Sequence, residues 1–499
     1  MPIPNSRRML WVLGLTGGMV GAGLIGVALL VLPGAPPSST TEPARAVATT
    51  IPRPAGSTSA TSAPPSTTTR PSTPRTTSSP GTAPTTSATT APAASTTTLE
   101  PAEEPAEVSA PPESPGALSA DLFVAPSPLG SGSGLSPADA ADISRLNDLV
   151  AALPDGGVIE LLSDKGPYDV PRPITINAGG TPAQPVMIRG PMAGARAELR
   201  GTRASPYSPA SEPGNPLFRL AAGADHLVFA HLDCANVGNG CFNVSAPVTD
   251  LTITNVTATN VRRFFENGAG GGQSDATITG LNVSHIQVSG FSKGAIRLAY
   301  DTHDVRIADV TGDSMQQDGD NFAIGVHLVD TVHDVVIERV AMDNARDTLH
   351  EYWNGDGFAA EAGVYDLVIT DTSASGNTDA GYDIKASNVR LVNANASDNK
   401  RNFRLWGHNV VLERCIGAYP NLRGGTGTQA QVHAAEDARA ELIGCTFIDS
   451  DADTIVFDVD GTAQLIVRET VVEHASSSLL STVEPTASIQ LIQVQETVR

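Results

Sequence analysis

From about Asp142 to the C-terminus the sequence predicts an all-β fold, a right-handed parallel β-helix solenoid. Three observations carry the prediction: an internal repeat whose apolar columns stay aligned, a composition suited to short strands and turns, and the lack of a rival repeat frame. The repeat reads start, apolar, any, apolar, any, any, apolar. It begins at His226, Asp250, Gly280, Asp304, Asp334, Asp366, Asn388, Asn409, Arg439 and Gln464, at spacings of 21 to 32 residues. Aromatic content is only 4%, while Gly, Asn, Asp, Val and Thr recur, which favours strands and turns over helix bundles. The Leu-x-x-Leu-x-Leu frame of leucine-rich repeats is missing, and a β-sandwich would not keep such columns in step.

The first apolar column is Leu227, Leu251, Leu281, Val305, Val335, Leu367, Val389, Val410, Ala440 and Leu465. The second runs from Phe229 to Val467 and the third from Leu232 to Thr470, through Cys415 and Cys445. The first two columns are two residues apart and share one strand face. Like residues then stack from coil to coil at roughly 4.8 Å. No coil buries its face alone, but stacked coils share a continuous core. Parallel strands are expected near 227–232, 251–256, 305–310, 335–340, 367–372, 389–394 and 410–415.

A second strand is expected in each coil, with Phe242, Phe265, Ile296, Ile324, Phe358, Tyr382 and Phe403 facing inward. One position on, facing out, come Asn243, Glu266, Arg297, Gly325, Ala359, Asp383, Arg404 and Gln431. Three positions on come residues that include His327, Glu361, Lys385, Trp406 and His433. This outer face turns from bland to rich in functional groups around residues 356–406.

At the N-terminus, Arg7 and Arg8 precede Leu10–Leu32, 23 residues without a charge, long enough to span a bilayer. The basic residues lie before the run, so the bulk of the chain is expected outside the cytoplasm. The small-residue site Ala44-Arg45-Ala46 lies well past the run, which favours an uncleaved signal anchor over a cleaved signal peptide in residues 1–33. Residues 34–118, dominated by Ser, Thr, Pro and Ala, read as a disordered linker. The β-helix domain is assigned to 119–499. Within it, Asp142–Val150 carries apolar residues at helical spacing behind an acidic cap, and reads as a capping helix that closes the solenoid. An extracellular protein follows, anchored to the membrane or secreted, and a monomer is expected.

The net charge of −22 argues against a nucleic-acid partner. Four cysteines do not make a disulfide scaffold. Cys415 and Cys445 share an inward column and are expected as free thiols, because ladder spacing does not favour disulfide geometry. Cys234 and Cys241 flank a short turn and are the disulfide candidates.

The candidate site spans three coils: Asn354-Gly355-Asp356-Gly357-Phe358-Ala359, then Thr378-Asp379-Ala380-Gly381-Tyr382-Asp383, then Asn402-Phe403-Arg404-Leu405-Trp406-Gly407. Stacking brings Asp356, Asp379 and Asp383 close. Without cationic partners such a trio would take a hard cation, Ca2+, completed by carbonyls and water; the alternative is that these residues cap turns. Lys400, Arg401 and Arg404 form a basic patch beside Trp406, a combination suited to an acidic sugar chain.

These coils resemble the family 9 polysaccharide lyases, right-handed β-helix enzymes that cleave pectic polysaccharides. That family shows Asp-Gly-Phe-Ala, then Asp-Asp-Gly-aromatic-Asp, then Gly-Phe-Lys-Leu-Gly on successive coils. The resemblance implies Asp356, Asp379 and Asp383 as calcium ligands and Arg404 in the place of the catalytic lysine. It implies a calcium-dependent lyase that cleaves a uronate-containing polysaccharide such as pectate by β-elimination. From the basic patch itself, Lys400, Arg401 and Trp406 are expected on the substrate; the alternative for Trp406 is a residue packed in the groove under a loop. This sequence departs at Ala380, which removes one carboxylate, and at Arg404. Arginine is a poor base unless strongly perturbed, although other pectate lyase families use one. Lys385 is a second candidate base, or else a surface lysine paired with Glu361. Two other readings stand beside the lyase. One is a hydrolase of the polygalacturonase type, for which only Asp318-Gly319-Asp320 offers a further acidic cluster. The other is a non-catalytic carbohydrate-binding β-helix with a degenerate site.

Overall fold

The computed structural model describes residues 119–209 and 214–499. They form a parallel β-helix. The first apolar column pairs in register from coil to coil without a break, Leu227 to Leu251 and onward to Leu465. The predicted segments at 227–232, 251–256, 305–310 and 335–340 lie in this parallel ladder; those at 367–372, 389–394 and 410–415 do so up to Thr370, Val392 and Glu413, where the chain turns a corner.

A typical coil has three strands, as in Tyr365–Thr370, Ser373–Ser375 and Ala380–Ile384, followed by Ser387–Val392, Asn395–Ser397 and Arg401–Leu405. The corners between strands explain the polar starts of the repeat. From His226 to Asn409 every start residue has φ between 51° and 75°. Five residues on, a second left-handed stack runs through His231, Asn255, His285, Asp309, Arg339, Asp371, Asn393 and Arg414. Asn and Asp tolerate this conformation at the least cost among residues with a side chain, so they accumulate at the corners.

Inside, the columns are fully buried, and large rings stack along the axis. Phe358 and Tyr382 lie 4.9 Å apart with planes 2° apart, and Tyr382 and Phe403 follow at 5.3 Å. Each such side chain contributes about 1.5–3 kcal/mol on burial. The buried Tyr382 hydroxyl pairs with Thr372 Oγ1 at 2.9 Å, so its polar tip is satisfied.

A buried amide ladder of four residues crosses three coils. Asn377 Nδ2 donates to Asn399 Oδ1 at 2.9 Å, Asn399 Nδ2 to Asn402 Oδ1 at 3.1 Å, and Asn402 Nδ2 to Gln431 Oε1 at 2.8 Å. Gly357 and Gly381 make room for it. A Cβ on Gly381 would lie 2.8 Å from Asn399 Nδ2 and 2.7 Å from the Asn402 carbonyl oxygen.

The structure corrects three readings. Ile324 is not the inward partner of Ile296; Val326 is, and Phe358 pairs with Val326. Likewise Val432, flanked by His433, pairs with Phe403. The outward column next to the core therefore reads Glu266, Arg297, His327, Ala359, Asp383, Arg404, His433 and Asp458. Second, Cys415 and Cys445 form a disulfide, and Cys234 and Cys241 are free and buried. Adjacent coils hold the Cys415 and Cys445 Cα atoms 4.5 Å apart, inside the range a disulfide accepts. Third, the strand Leu122–Ala125 precedes the helix and pairs with Gly157–Leu161, so strand pairing begins before Asp142. The helix itself spans Leu146–Ala151 and buries Leu146, Leu149 and Val150.

The anchor and linker readings, residues 1–33 and 34–118, lie outside the described residues. Among the described residues no helix is long and apolar enough to cross a membrane.

Candidate functional site

Three adjacent strands of one sheet, Asp356–Ala360, Ala380–Ile384 and Arg401–Leu405, carry Asp356, Asp383, Arg401 and Arg404, while Asp379, Lys385, Lys400 and Trp406 flank their ends. The turns that lead into the last two are pinned from beneath. Asn377 Oδ1 accepts from the Ala345 amide at 2.8 Å, and Asn399 Oδ1 accepts from the Asn377 amide at 3.0 Å. The residues that follow, Asp379 and Lys400, are thus presented outward from a rigid base.

Asp356, Asp379 and Asp383 are all buried, but they are not free of cations. Asp379 meets three: Arg404 at 2.9 Å, Arg401 at 3.4 Å and Lys400 at 3.5 Å. Asp383 accepts from Lys385 at 2.8 Å and from Trp406 Nε1 at 2.8 Å, with Arg404 at 3.8 Å. Asp356 accepts from the Ala380 amide at 2.7 Å. Burial, with the charges of Asp383 and Asp379 beside it, pushes the Asp356 carboxyl well above the usual carboxylate range. The premise of an uncompensated acidic trio is therefore corrected: the protein supplies the counter-charges itself.

This arrangement fits calcium poorly. Calcium asks for six to eight oxygens, yet the oxygens here already accept from ammonium, guanidinium, indole and amide groups. Nor do the three residues gather ligand atoms within 4.8 Å of one another; among the described residues only Asp301, His303 and His333 do so.

The two residues expected as bases are tied up. For Lys385, burial lowers the pKa, but the Asp383 charge and the hydrogen bonds to Asp383 and Glu361 outweigh it and raise it. Its ammonium donates to Glu361 at 2.9 and 3.0 Å. For Arg404, burial is likewise outweighed by Asp383, Asp379 and Asp356, and its pKa is raised. Its guanidinium lies 4.6 Å from the centre of the Trp406 ring. Lys400 behaves differently: burial lowers its pKa, the Asp379 charge opposes this, and the charges of Arg401 and Arg404 add to it. Its Nζ donates to the Thr426 carbonyl at 2.5 Å.

A cavity of about 390 Å³ opens over this point. Lys400, Arg401, Arg404 and Asp379 line it, together with Tyr352, Trp353, Asn354, Thr426 and Gly427. Trp406, Lys385, Asp356 and Asp383 do not line it. Tyr352, Trp353 and Thr426 were missed in the sequence, because they sit on loops outside the repeat. Gly424 and Gly425 pack on the Trp353 ring, where a Cβ would lie 2.4 and 2.9 Å from its atoms. Their signal was the Gly-Gly-Thr-Gly run itself, which allows that close approach.

No protein-family model and no curated protein matches this sequence. Among solved structures the chain is similar to the GH136 lacto-N-biosidase from Eubacterium ramulus, with 11% identity, a TM-score of 0.44, and coverage of 75% of this chain and 67% of that one. It is similar to pectate lyase Pel9A, with 17% identity, a TM-score of 0.37, and coverage of 75% and 80%. It is also similar to the periplasmic alginate epimerase AlgG, with 12% identity, a TM-score of 0.41, and coverage of 70% and 82%. At these identities the likeness is one of fold; the register of its own strands makes this chain a parallel β-helix.

Proposed function

We propose that the cavity over residues 352–427 binds a uronate-containing polysaccharide, and that the chain is a polysaccharide lyase acting by β-elimination. The observation that supports this best is the gathering of Lys400, Arg401 and Arg404 in one cavity with Tyr352 and Trp353, in a chain of net charge −22. Arg401 and Arg404 offer planar forks that match a carboxylate. They would neutralise the uronate in place of the calcium that the lyase resemblance implies, and so acidify the proton on the adjacent carbon. Lys400 is the amine whose charge is weakened by burial, and it is better suited than Arg404 or Lys385 to accept that proton. The C–H electron pair becomes the new double bond, the glycosidic C–O bond breaks, and the leaving oxygen takes a proton from water.

The test is formation of unsaturated product, followed by its ultraviolet absorbance, on a panel of polyuronates with and without calcium. Lys400→Met should lower turnover by about 10²-fold or more, and Arg401→Lys should raise KM, since lysine lacks the fork. Turnover should survive a chelator. If Arg404→Ala abolishes turnover while Lys400→Met spares it, the base is Arg404. A glycan bound without product by wild type would select the non-catalytic binding reading, which the locked state of Arg404 and Lys385 favours.

A further inference from the structure

We propose that Asp301, His303 and His333 form a binding site for a divalent transition-metal ion of the zinc class, at the corner that follows the groove-side strands. Each residue offers one ligand atom, and these atoms lie within 4.8 Å of one another. The site lies one short turn beyond Leu298 and Leu328, the last residues of two strands on the groove face. It is separate from the cavity at Lys400 and does not depend on the lyase reading.

The repeat builds it. The strands His303–Asp313 and His333–Asp343 are paired in register, Val305 beside Val335, so the two histidines hold the same position in consecutive coils. Their rings stack at 4.9 Å with planes 10° apart, and Tyr365 continues the stack beneath His333 at 4.8 Å. Asp301 stands on the exposed turn before His303.

His303 Nδ1 lies 2.7 Å from the Asp301 carbonyl oxygen, and His333 Nδ1 lies 2.7 Å from Asp334 Oδ2. Both partners are acceptors, so the proton of the neutral ring belongs on Nδ1 and the lone pair on Nε2. A carbonyl or carboxylate behind Nδ1 is how metal-binding histidines are oriented. His333 Nε2 then faces Asp301 Oδ1 at 3.6 Å, too far for a hydrogen bond. Thr331 Oγ1 donates to that same Oδ1 at 3.2 Å, which steadies the carboxylate. Asp304 Oδ2 lies 3.9 Å from His303 Nε2 and is within reach as a further oxygen. Two imidazoles and a carboxylate suit zinc, nickel or copper(II) rather than calcium or magnesium. To close on an ion the rings must tilt out of their stack, and water completes the shell on the exposed side.

The experiment uses the full chain, stripped with a chelator and titrated with zinc chloride, read by calorimetry and by thermal unfolding. Wild type should bind zinc and gain Tm, because the ion binds the folded state. His303→Phe keeps the ring stack and removes a ligand; it should weaken zinc binding by at least about tenfold and leave the metal-free Tm unchanged. Asp334→Asn should weaken binding by about tenfold through ring orientation alone. Asp301→Asn, on an exposed turn, leaves the core untouched and keeps the question decidable if His303→Phe does not fold. A wild type that takes up no zinc would overturn the proposal. So would His303→Phe and Asp301→Asn variants that bind zinc as wild type does; the stack would then be packing alone.

Discussion

At the residue scale, the candidate site is a set of buried charges balanced within the protein. Asp379 sits among three cations, Asp383 between two, and Glu361 lies beside Lys385 and His327. The residues themselves were legible in the sequence: Asp356, Asp379, Asp383, Lys400, Arg401 and Arg404 do fall in one region. Their mutual neutralisation was not, because a stacking argument brings residues to a common height but does not say which side chains reach each other. Glu361 gives a pH test of the balance. Burial raises its pKa, but His327 at 3.6 Å and the Lys385 ammonium outweigh burial and bring it from 4.5 down to about 2. A carboxyl depressed in the folded state stabilises the fold above its unfolded value, and that contribution is lost as pH falls through the folded value. Wild type should therefore exceed Glu361→Gln in urea midpoint at neutral pH, and the gap should close as the pH approaches about 2. A gap that stays constant across that range would show that the Glu361 charge contributes nothing to the difference.

At the element scale, the strand was far more legible than its register. Apolar alternation identified the outward face of Ile324–Leu328 but placed its partner two residues early, at Ile324 in place of Val326. A two-residue slip leaves every side chain on the same face, so alternation alone gives no warning of it. The corners carry the missing information. Counting back from the left-handed residues Asp330 and Tyr300 would have set Leu328 beside Leu298, where the structure has it. These corner positions also predict stability. Asn409 has a φ of 56°, and its Nδ2 donates to Asn388 Oδ1 at 3.1 Å. Asn409→Val should destabilise by about 1–2 kcal/mol, since a β-branched residue is strained there, while Asn409→Gly should cost less. Equal losses in chemical denaturation would show that the side-chain ladder, not backbone strain, decides the corner.

At the scale of the whole molecule, the repeat predicted the parallel stacking of the coils from residue 226 onward, because each coil rests only on its neighbours. The columns at 227–232 through 410–415 needed no knowledge of the loops. What escaped was what the loops add: Tyr352 and Trp353 over the cavity, and the turn that sets Asp301 beside two histidines. Such segments follow no period, so nothing in the repeat announces them. The end of the stack is equally non-periodic in its burial. Leu479, Val483, Leu491 and Val498 follow the strand pattern yet are exposed, because no further described coil covers them.

The disulfide has a mechanical consequence. A solenoid pulled from its C-terminus should peel coil by coil, each releasing its length in turn. Cys415 and Cys445 are joined across neighbouring coils at a separation of 30 residues, so the segment between them is withheld from the load. At roughly 3.3–3.6 Å per extended residue, about 100 Å of contour should be missing from a single-molecule extension trace and should return under reductant. Thiol titration of the denatured, unreduced protein should find two reactive thiols, Cys234 and Cys241, out of four cysteines. Four reactive thiols, or a trace that reductant leaves unchanged, would mean that the stack carries no rivet and unzips freely along its whole length.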